Sequence, residues 1–386
     1  MNTRPTRRTF LKHSAAAVAA ACAPRTLLAA APTRAFTFVL LGDLHYDALA
    51  HHDMAWVEKE KPNDVSQIKN YSRITAEVTP RLLATVRATI ADLNRDPATR
   101  VAFVLQAGDL VEGLCGSEEL SVRQNTEALA AVREAQLGAP LLFTKGNHDI
   151  TGPGAIAAFA RVFHPFLTAQ AQAVAPGAAE VKSGSYTVEC GGAQFAFFDA
   201  YEATRSLEWF EAAAARRTAE HLFVTVHPPV VPYGARSTWH IFASERDRTR
   251  REKFLALLGD QRAIVLGGHI HRYNTLSRAA GRGRFAQFAL SSVLSAPGVT
   301  PKTLLEGAAA YAPDQVSVEP NFSPANAAER RAVYEAERAH VRDFAYADLP
   351  GYAVVRVEGP RVTATMFSGA TRDAWRTVDL STLARG

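Results

Sequence analysis

Short apolar runs recur at positions 36–41, 101–106, 141–144, 195–198, 222–226 and 263–266, and five of the six lead straight into a cluster of aspartate, asparagine or histidine. Runs this short, rich in β-branched and aromatic residues, read as strands buried on both faces. Segments with helical spacing lie between several of them, at 78–94, 121–136, 206–217 and 246–258. That alternation predicts an α/β protein whose helices cover a largely buried sheet. A final pair of runs, 352–357 and 361–367, is split by Glu358-Gly359-Pro360 and predicts a hairpin added to the sheet.

The clusters carry the chemical information. Gly42-Asp43-Leu44-His45 follows the first run, Gly108-Asp109-Leu110-Val111-Glu112 the second and Gly146-Asn147-His148-Asp149 the third. Later runs end in Val226-His227-Pro228 and Gly267-Gly268-His269-Ile270-His271. In an open α/β sheet the carboxyl ends of parallel strands share one edge, so loops far apart in sequence converge on one crevice. Any one of these clusters reads equally well as a turn or a packing residue. Five of them at strand ends, offering oxygen and imidazole donors without thiolate, point to a site for Mn, Fe or Zn rather than a structural cysteine-bound zinc.

Taken in order, the clusters resemble the calcineurin-like metallophosphoesterase family, whose pattern is Asp-x-His, Gly-Asp, Gly-Asn-His-Asp/Glu, a single His, and Gly-His-x-His. The likeness spans about residues 36–275, with no ligand position missing. It implies a four-layer sandwich of two mixed β-sheets flanked by helices, and a dinuclear metal-dependent hydrolase of phosphate esters. It further implies that Asp43, His45 and His271 bind one metal ion, that Asn147, His227 and His269 bind the other, and that Asp109 bridges them. His148 is then the residue that contacts phosphate and protonates the leaving group, with Asp149 as its orienting partner. Purple acid phosphatases carry tyrosine where this chain has Glu112, so iron-tyrosinate chemistry is not expected.

This division of labour also makes physical sense. Two cations sharing a carboxylate gather an anionic ester and acidify water, while a neutral asparagine ligand keeps the site cationic overall. A phosphodiester substrate is expected. The alternatives are a broad-specificity phosphomonoesterase and a non-catalytic envelope protein that binds metal and a phosphoryl ligand. Weaker candidates for substrate contact are His51, His52 and Asp53, for which a solvated loop is the favoured reading, and Tyr233, Trp239, His240, Arg272 and Asn274.

The N-terminus reads as a separate unit. Arg7-Arg8 and Lys12 precede an apolar stretch at 15–23 and small residues at 29–31, the pattern of a twin-arginine export signal covering 1–31. The stretch is too short to span a bilayer, so no transmembrane anchor is expected. Export machinery of the twin-arginine type is the expected partner, and a periplasmic or secreted location follows. The formal net charge is +5, and five of the 43 basic residues (Arg4, Arg7, Arg8, Lys12, Arg25) fall in this segment with no acid, leaving the rest close to neutral. Specific nucleic-acid binding is therefore not expected. Residues 32–386 read as one metallophosphoesterase domain with insertions near 46–79 and 297–349, the second holding a charged helix around 326–341. Outside the signal, Cys115 and Cys190 either pair or sit as separate buried thiols, the second reading being favoured.

Overall fold

A computed structural model of the chain describes residues 34–234, 239–314 and 327–386; the segment 1–31, expected from its sequence to direct export, lies outside them. In chain order the described strands are β1 (Phe36–Leu41), β2 (Val101–Gln106), β3 (Leu141–Phe143), β4 (Tyr186–Cys190), β5 (Ala193–Phe197), β6 (His221–Thr225) and β7 (Ile264–Gly267). They continue with β8 (Tyr273–Ala280), β9 (Gly283–Ala289), β10 (Leu304–Glu306), β11 (Val341–Ala347), β12 (Gly351–Glu358), β13 (Arg361–Ser368) and β14 (Ala374–Asp379). The described α-helices are α1 (Met54–Glu60), α2 (Val65–Glu77), α3 (Thr79–Leu93), α4 (Glu118–Glu134), α5 (Ala155–Val174), α6 (Ala203–Ala215), α7 (Arg248–Asp260), α8 (Ala327–Arg338) and α9 (Leu380–Arg385).

Two mixed sheets result. The first is ordered β14-β13-β12-β1-β2-β3 and the second β10-β11-β8-β9-β7-β6-β5-β4. β1, β2 and β3 are mutually parallel in the first, as are β5, β6 and β7 in the second. Every residue of β1 is buried, as expected for a strand covered on both faces. The sheets meet through phenylalanines: Phe38 and Phe103 stack at 5.3 Å, Phe195 and Phe223 stack at 4.6 Å, and Phe38 meets Phe195 edge-on at 5.3 Å. Offset and edge-on contacts like these add to the area term and fix how the sheets register. Helices α3, α4 and α5 bury their apolar stripes in the core of the first sheet, whereas α6 and α7 cover the outer face of the second.

The described residues of both expected insertions form regular elements. The stretch 46–79 forms α1 and α2, and 297–349 supplies the strands β10 and β11 at one edge of the second sheet. The charged helix expected around 326–341 is α8, and it is not simply a solvated surface helix. Tyr334 and Glu337 are buried on it, and Glu337 accepts from Arg251 Nη2 at 2.7 Å and Arg278 Nε at 2.5 Å. Burial alone would raise the Glu337 carboxyl, but the two guanidinium groups outweigh it and hold it below its ordinary value of 4.5.

Removing that carboxylate leaves two poorly hydrated cations facing each other. Glu337→Ala is expected to destabilise the fold by about 3–5 kcal/mol in denaturant melts, the usual result of deleting one partner of a buried ion pair. The sign with pH follows from the depressed native pKa. The contribution is complete above the ordinary carboxyl value and is lost as pH falls through the lower native one, so the gap between wild type and Glu337→Gln should close in acid. A gap that is the same at every pH would contradict this.

Candidate metal centre

The parallel strands bring their carboxyl ends to one edge, β1, β2 and β3 from one sheet and β6 and β7 from the other. The five clusters sit there. Backbone conformation at this edge is unusual: His45 (φ +46°), Asp109 (φ +55°), His269 (φ +71°) and His271 (φ +59°) all lie in the left-handed region. Non-glycine residues there cost on the order of 1 kcal/mol each and persist only where the surroundings enforce them. Two glycines show how tightly the loops approach. A Cβ on Gly146 would lie 2.1 Å from Asp109 Oδ1, and one on Gly108, itself at φ +94°, would lie 2.6 Å from His227 Nδ1.

Two donor groups result among the described residues, and a third, His45, Asp109 and His148, overlaps both of them. Asp43, His45 and His271 form one set and Asp109, His227 and His269 the other, each with ligand atoms within 4.8 Å of one another. In the first, His45 Nε2 lies 3.1 Å from His271 Nε2, and Asp43 Oδ1 is 3.5 Å from the latter. In the second, His227 Nε2 is 2.9 Å from Asp109 Oδ2 and 3.2 Å from His269 Nδ1. Asp109 Oδ2 also lies 3.7 Å from His45 Nε2, so one carboxylate reaches both sets. Asn147 borders the same cleft as His269, and its Oδ1 accepts from the Tyr201 hydroxyl at 3.5 Å.

Hydrogen bonds fix the tautomers. His227 Nδ1 donates to the Ala107 carbonyl at 2.8 Å, leaving Nε2 to face Asp109. His148 Nδ1 donates to the Glu112 carbonyl at 2.8 Å, which leaves its Nε2 as the free nitrogen. Buried charges of opposite sign dominate the electrostatics. Burial would raise Asp43, but His271 and His227 hold its carboxyl down at about 2. Asp109 is likewise held well below the carboxylate range, against its burial, by His227 and His148. Burial opposes the charging of His227, yet Asp109 and Asp43 lift it to about 9; His148 reaches about 9 against the same penalty through Glu112 and Asp109. His269 is pushed down to about 3 by burial and the neighbouring His227.

Imidazole nitrogens 3.1–3.2 Å apart must share a proton or a cation to avoid facing lone pairs. With bracketing carboxylates and no thiolate, the donor set fits two divalent cations.

Several expectations need correction. Asp149 does not orient His148: its carboxylate accepts from the backbone N–H groups of Gly146 (2.7 Å), Asp109 (3.1 Å) and Val111 (3.1 Å), tying two of the loops together. Burial and the nearby Asp109 raise it to about 6, against those backbone donors. The group that faces His148 is Glu112, whose Oε2 is 3.4 Å from His148 Nδ1 and 2.7 Å from His45 Nδ1. Helix α2 adds two further groups unforeseen from sequence. Gln67 donates to Glu112 Oε1 at 2.8 Å, and the Tyr71 ring stacks on His45 at 4.3 Å.

His51 and His52 are buried rather than solvated, bound to Glu127 and to Asp47 at 2.7 Å each, and Asp53 caps α1 through Trp56 N. Asn274 is buried in β8, accepting from Gln287 and donating to the Ala345 carbonyl, so it is no phosphate contact. The Tyr233 hydroxyl donates to the Gly268 and Arg272 carbonyls, and Arg272 Nη1 donates to the His271 carbonyl, bracing the last loop. Trp239 and His240 do line the cleft. Cys115 and Cys190 are both free thiols.

Fold and donor set together define a metallophosphoesterase. Residues 36–273, well over half of the chain, match the calcineurin-like phosphoesterase family, and the chain belongs to it. Among solved structures it is similar to a dimetal phosphatase from Danio rerio, at 14% identity and a TM-score of 0.50 over 91% of this chain and 99% of that one. It is also similar to a purple acid phosphatase from yellow lupin (Lupinus luteus) seeds, at 13% identity and a TM-score of 0.50 over 90% of this chain. This chain spans 54% of the lupin protein, and at such identities the likeness is one of fold. No curated protein matches the chain by sequence. No described helix is long and apolar enough to cross a membrane.

Proposed function

We propose that the protein is an exported hydrolase of phosphodiesters. The observation that carries the hydrolase reading is Asp109, a buried carboxylate within 3.7 Å of donors in two separate His/Asp sets. Asp43, His45 and His271 would hold one cation and Asn147, His227 and His269 the other, with Asp109 shared. The pair would supply positive charge for the ester and a water acidified enough to attack phosphorus near neutral pH.

The chain's own residues do the rest. His148 is held by Glu112 with Nε2 free, placed to give a proton to the departing oxygen. Glu112 braces His45 and His148 together, and Gln67 and Tyr71 from α2 hold that arrangement on its outer side. Support for a diester comes from the neighbouring cleft. Its three arginines, Arg205, Arg246 and Arg250, face two carboxylates, Glu202 at 3.3 Å from Arg205 and Asp247 at 2.7 Å from Arg250 and 3.7 Å from Arg246, and the single cation left over suits a monoanion better than a dianionic monoester. With Mn, Fe or Zn supplied, kcat/KM is expected to be at least about tenfold higher for bis(p-nitrophenyl) phosphate than for p-nitrophenyl phosphate, a difference of ~1.4 kcal/mol. The reverse order would replace this reading with a monoesterase.

The export reading rests on Arg7-Arg8 and the apolar stretch behind them. Changing both to lysine should keep the protein in the cytoplasm, as judged by fractionation; unaltered export would remove the twin-arginine route.

A further inference from the structure

We propose that the cleft beside Asn147 and His269 receives a planar aromatic group of the substrate and stacks it against Tyr201 and Trp239. The proposal rests on the phosphoester-hydrolase reading and adds the class of ester. The cleft measures about 790 Å³ and opens directly onto those two candidate ligands. Among the described residues five large hydrophobic side chains are exposed, and two of them, Trp239 at 38% and Tyr201 at 37%, line this one cleft. Aromatic surface left facing water beside a catalytic crevice is surface available to a ligand.

Both rings are tied to the candidate ligands. The Trp239 ring centroid is 5.6 Å from that of His269, and the Tyr201 hydroxyl lies 3.5 Å from Asn147 Oδ1. The Tyr201 backbone is held in turn: its N–H donates to Asp199 Oδ1 at 2.9 Å, and Asp199 pairs with the buried Lys145, two residues before Asn147. A tyrosine fixed this way stacks on a ligand with little further loss of side-chain freedom. Around the rings, Arg205 and Asp247 provide a donor and an acceptor for polar edges of the bound group. Stacking accepts any flat ring, so a nucleobase and a simple aryl group are both chemically suited.

The test uses three diesters with a common methyl ester, in which the second alcohol is adenosine (through its 5′-oxygen), phenol or cyclohexanol. Dividing each variant's kcat/KM by that of wild type on the same ester cancels intrinsic reactivity. For Trp239→Leu and Tyr201→Leu, the ring-bearing esters should fall by about tenfold more than the cyclohexyl ester. Tyr201→Phe, which keeps the ring, should restore the preference.

Loss confined to the adenosine ester assigns the cleft to a nucleobase, and loss shared with the phenyl ester assigns it to aryl groups generally. Equal losses on all three esters overturn the stacking and leave the hydrolase reading standing. If wild type cleaves none of them, the phosphodiesterase reading fails and calorimetry decides the cleft. Adenosine 5′-phosphate binding weakened about tenfold in Trp239→Leu, with cyclohexyl phosphate unaffected, supports it; binding that ignores the ring overturns it.

Discussion

Asp109→Asn is expected to lower kcat by about 10³-fold or more, ~4 kcal/mol of transition-state stabilisation. The substitution keeps the size of the side chain and removes the charge that faces His227 Nε2 at 2.9 Å and His45 Nε2 at 3.7 Å. An amide in this position either keeps one neutral oxygen on both donor sets and turns its NH₂ against the His148 backbone N–H that Oδ1 now accepts at 2.8 Å, or turns the NH₂ toward both sets. Cation binding should weaken in both, so added metal should recover little of the activity. Unchanged far-ultraviolet dichroism would separate this from unfolding. Activity within tenfold of wild type would show that Asp109 does not join the two sets.

His148→Ala should cost about 10²–10⁴-fold in kcat on esters of ordinary alcohols, the usual value of a positioned general acid. It should cost much less on a p-nitrophenyl ester, because that phenolate leaves without needing a proton. Metal content should be retained, since Asp43, His45 and His271 on one side and Asp109, His227 and His269 on the other all remain in place. The contrast between leaving groups is the informative quantity. Equal losses on both ester types would make His148 a residue that only shapes the site.

The parts of this fold that could be read in advance are those where burial and sequence pattern coincide. β1 and β2 are apolar on both faces and bounded by glycine, so their existence and their catalytic ends were legible within a residue or two. β8 was not legible. It carries Asn274, Thr275, Ser277 and Arg278, all buried, and what permits their burial is distant: Asn274 bonds Gln287 and Ala345, and Arg278 pairs with Glu337. No window of sequence shows partners of that kind. Helix α2 is similar, because its buried residues Ile68, Tyr71 and Ile74 form only a thin stripe in a polar segment.

The site shows the same division. The seven ligand candidates stand out in sequence because each sits at a strand end beside distinctive neighbours, and the structure brings the six carboxylate and imidazole candidates into two adjoining sets. Asp149 departs from its expected role because adjacency in sequence is not adjacency of side chains. It follows His148 directly, but its carboxylate turns back to the N–H groups of Gly146, Asp109 and Val111. Glu112 has the opposite history. It lies 36 residues from His148, and only the folding of β2 and β3 side by side brings them together.

The central claim, that this edge of the sandwich holds two cations around Asp109, is tested most directly by elemental analysis of the purified, metal-reconstituted protein alongside Asp109→Asn, with turnover followed through chelation and metal return. The account predicts two transition-metal ions per wild-type chain, clearly fewer in the variant, and activity that disappears with the metal and returns with it. Full turnover in metal-stripped protein, or no more than one ion per chain at saturation, would contradict it.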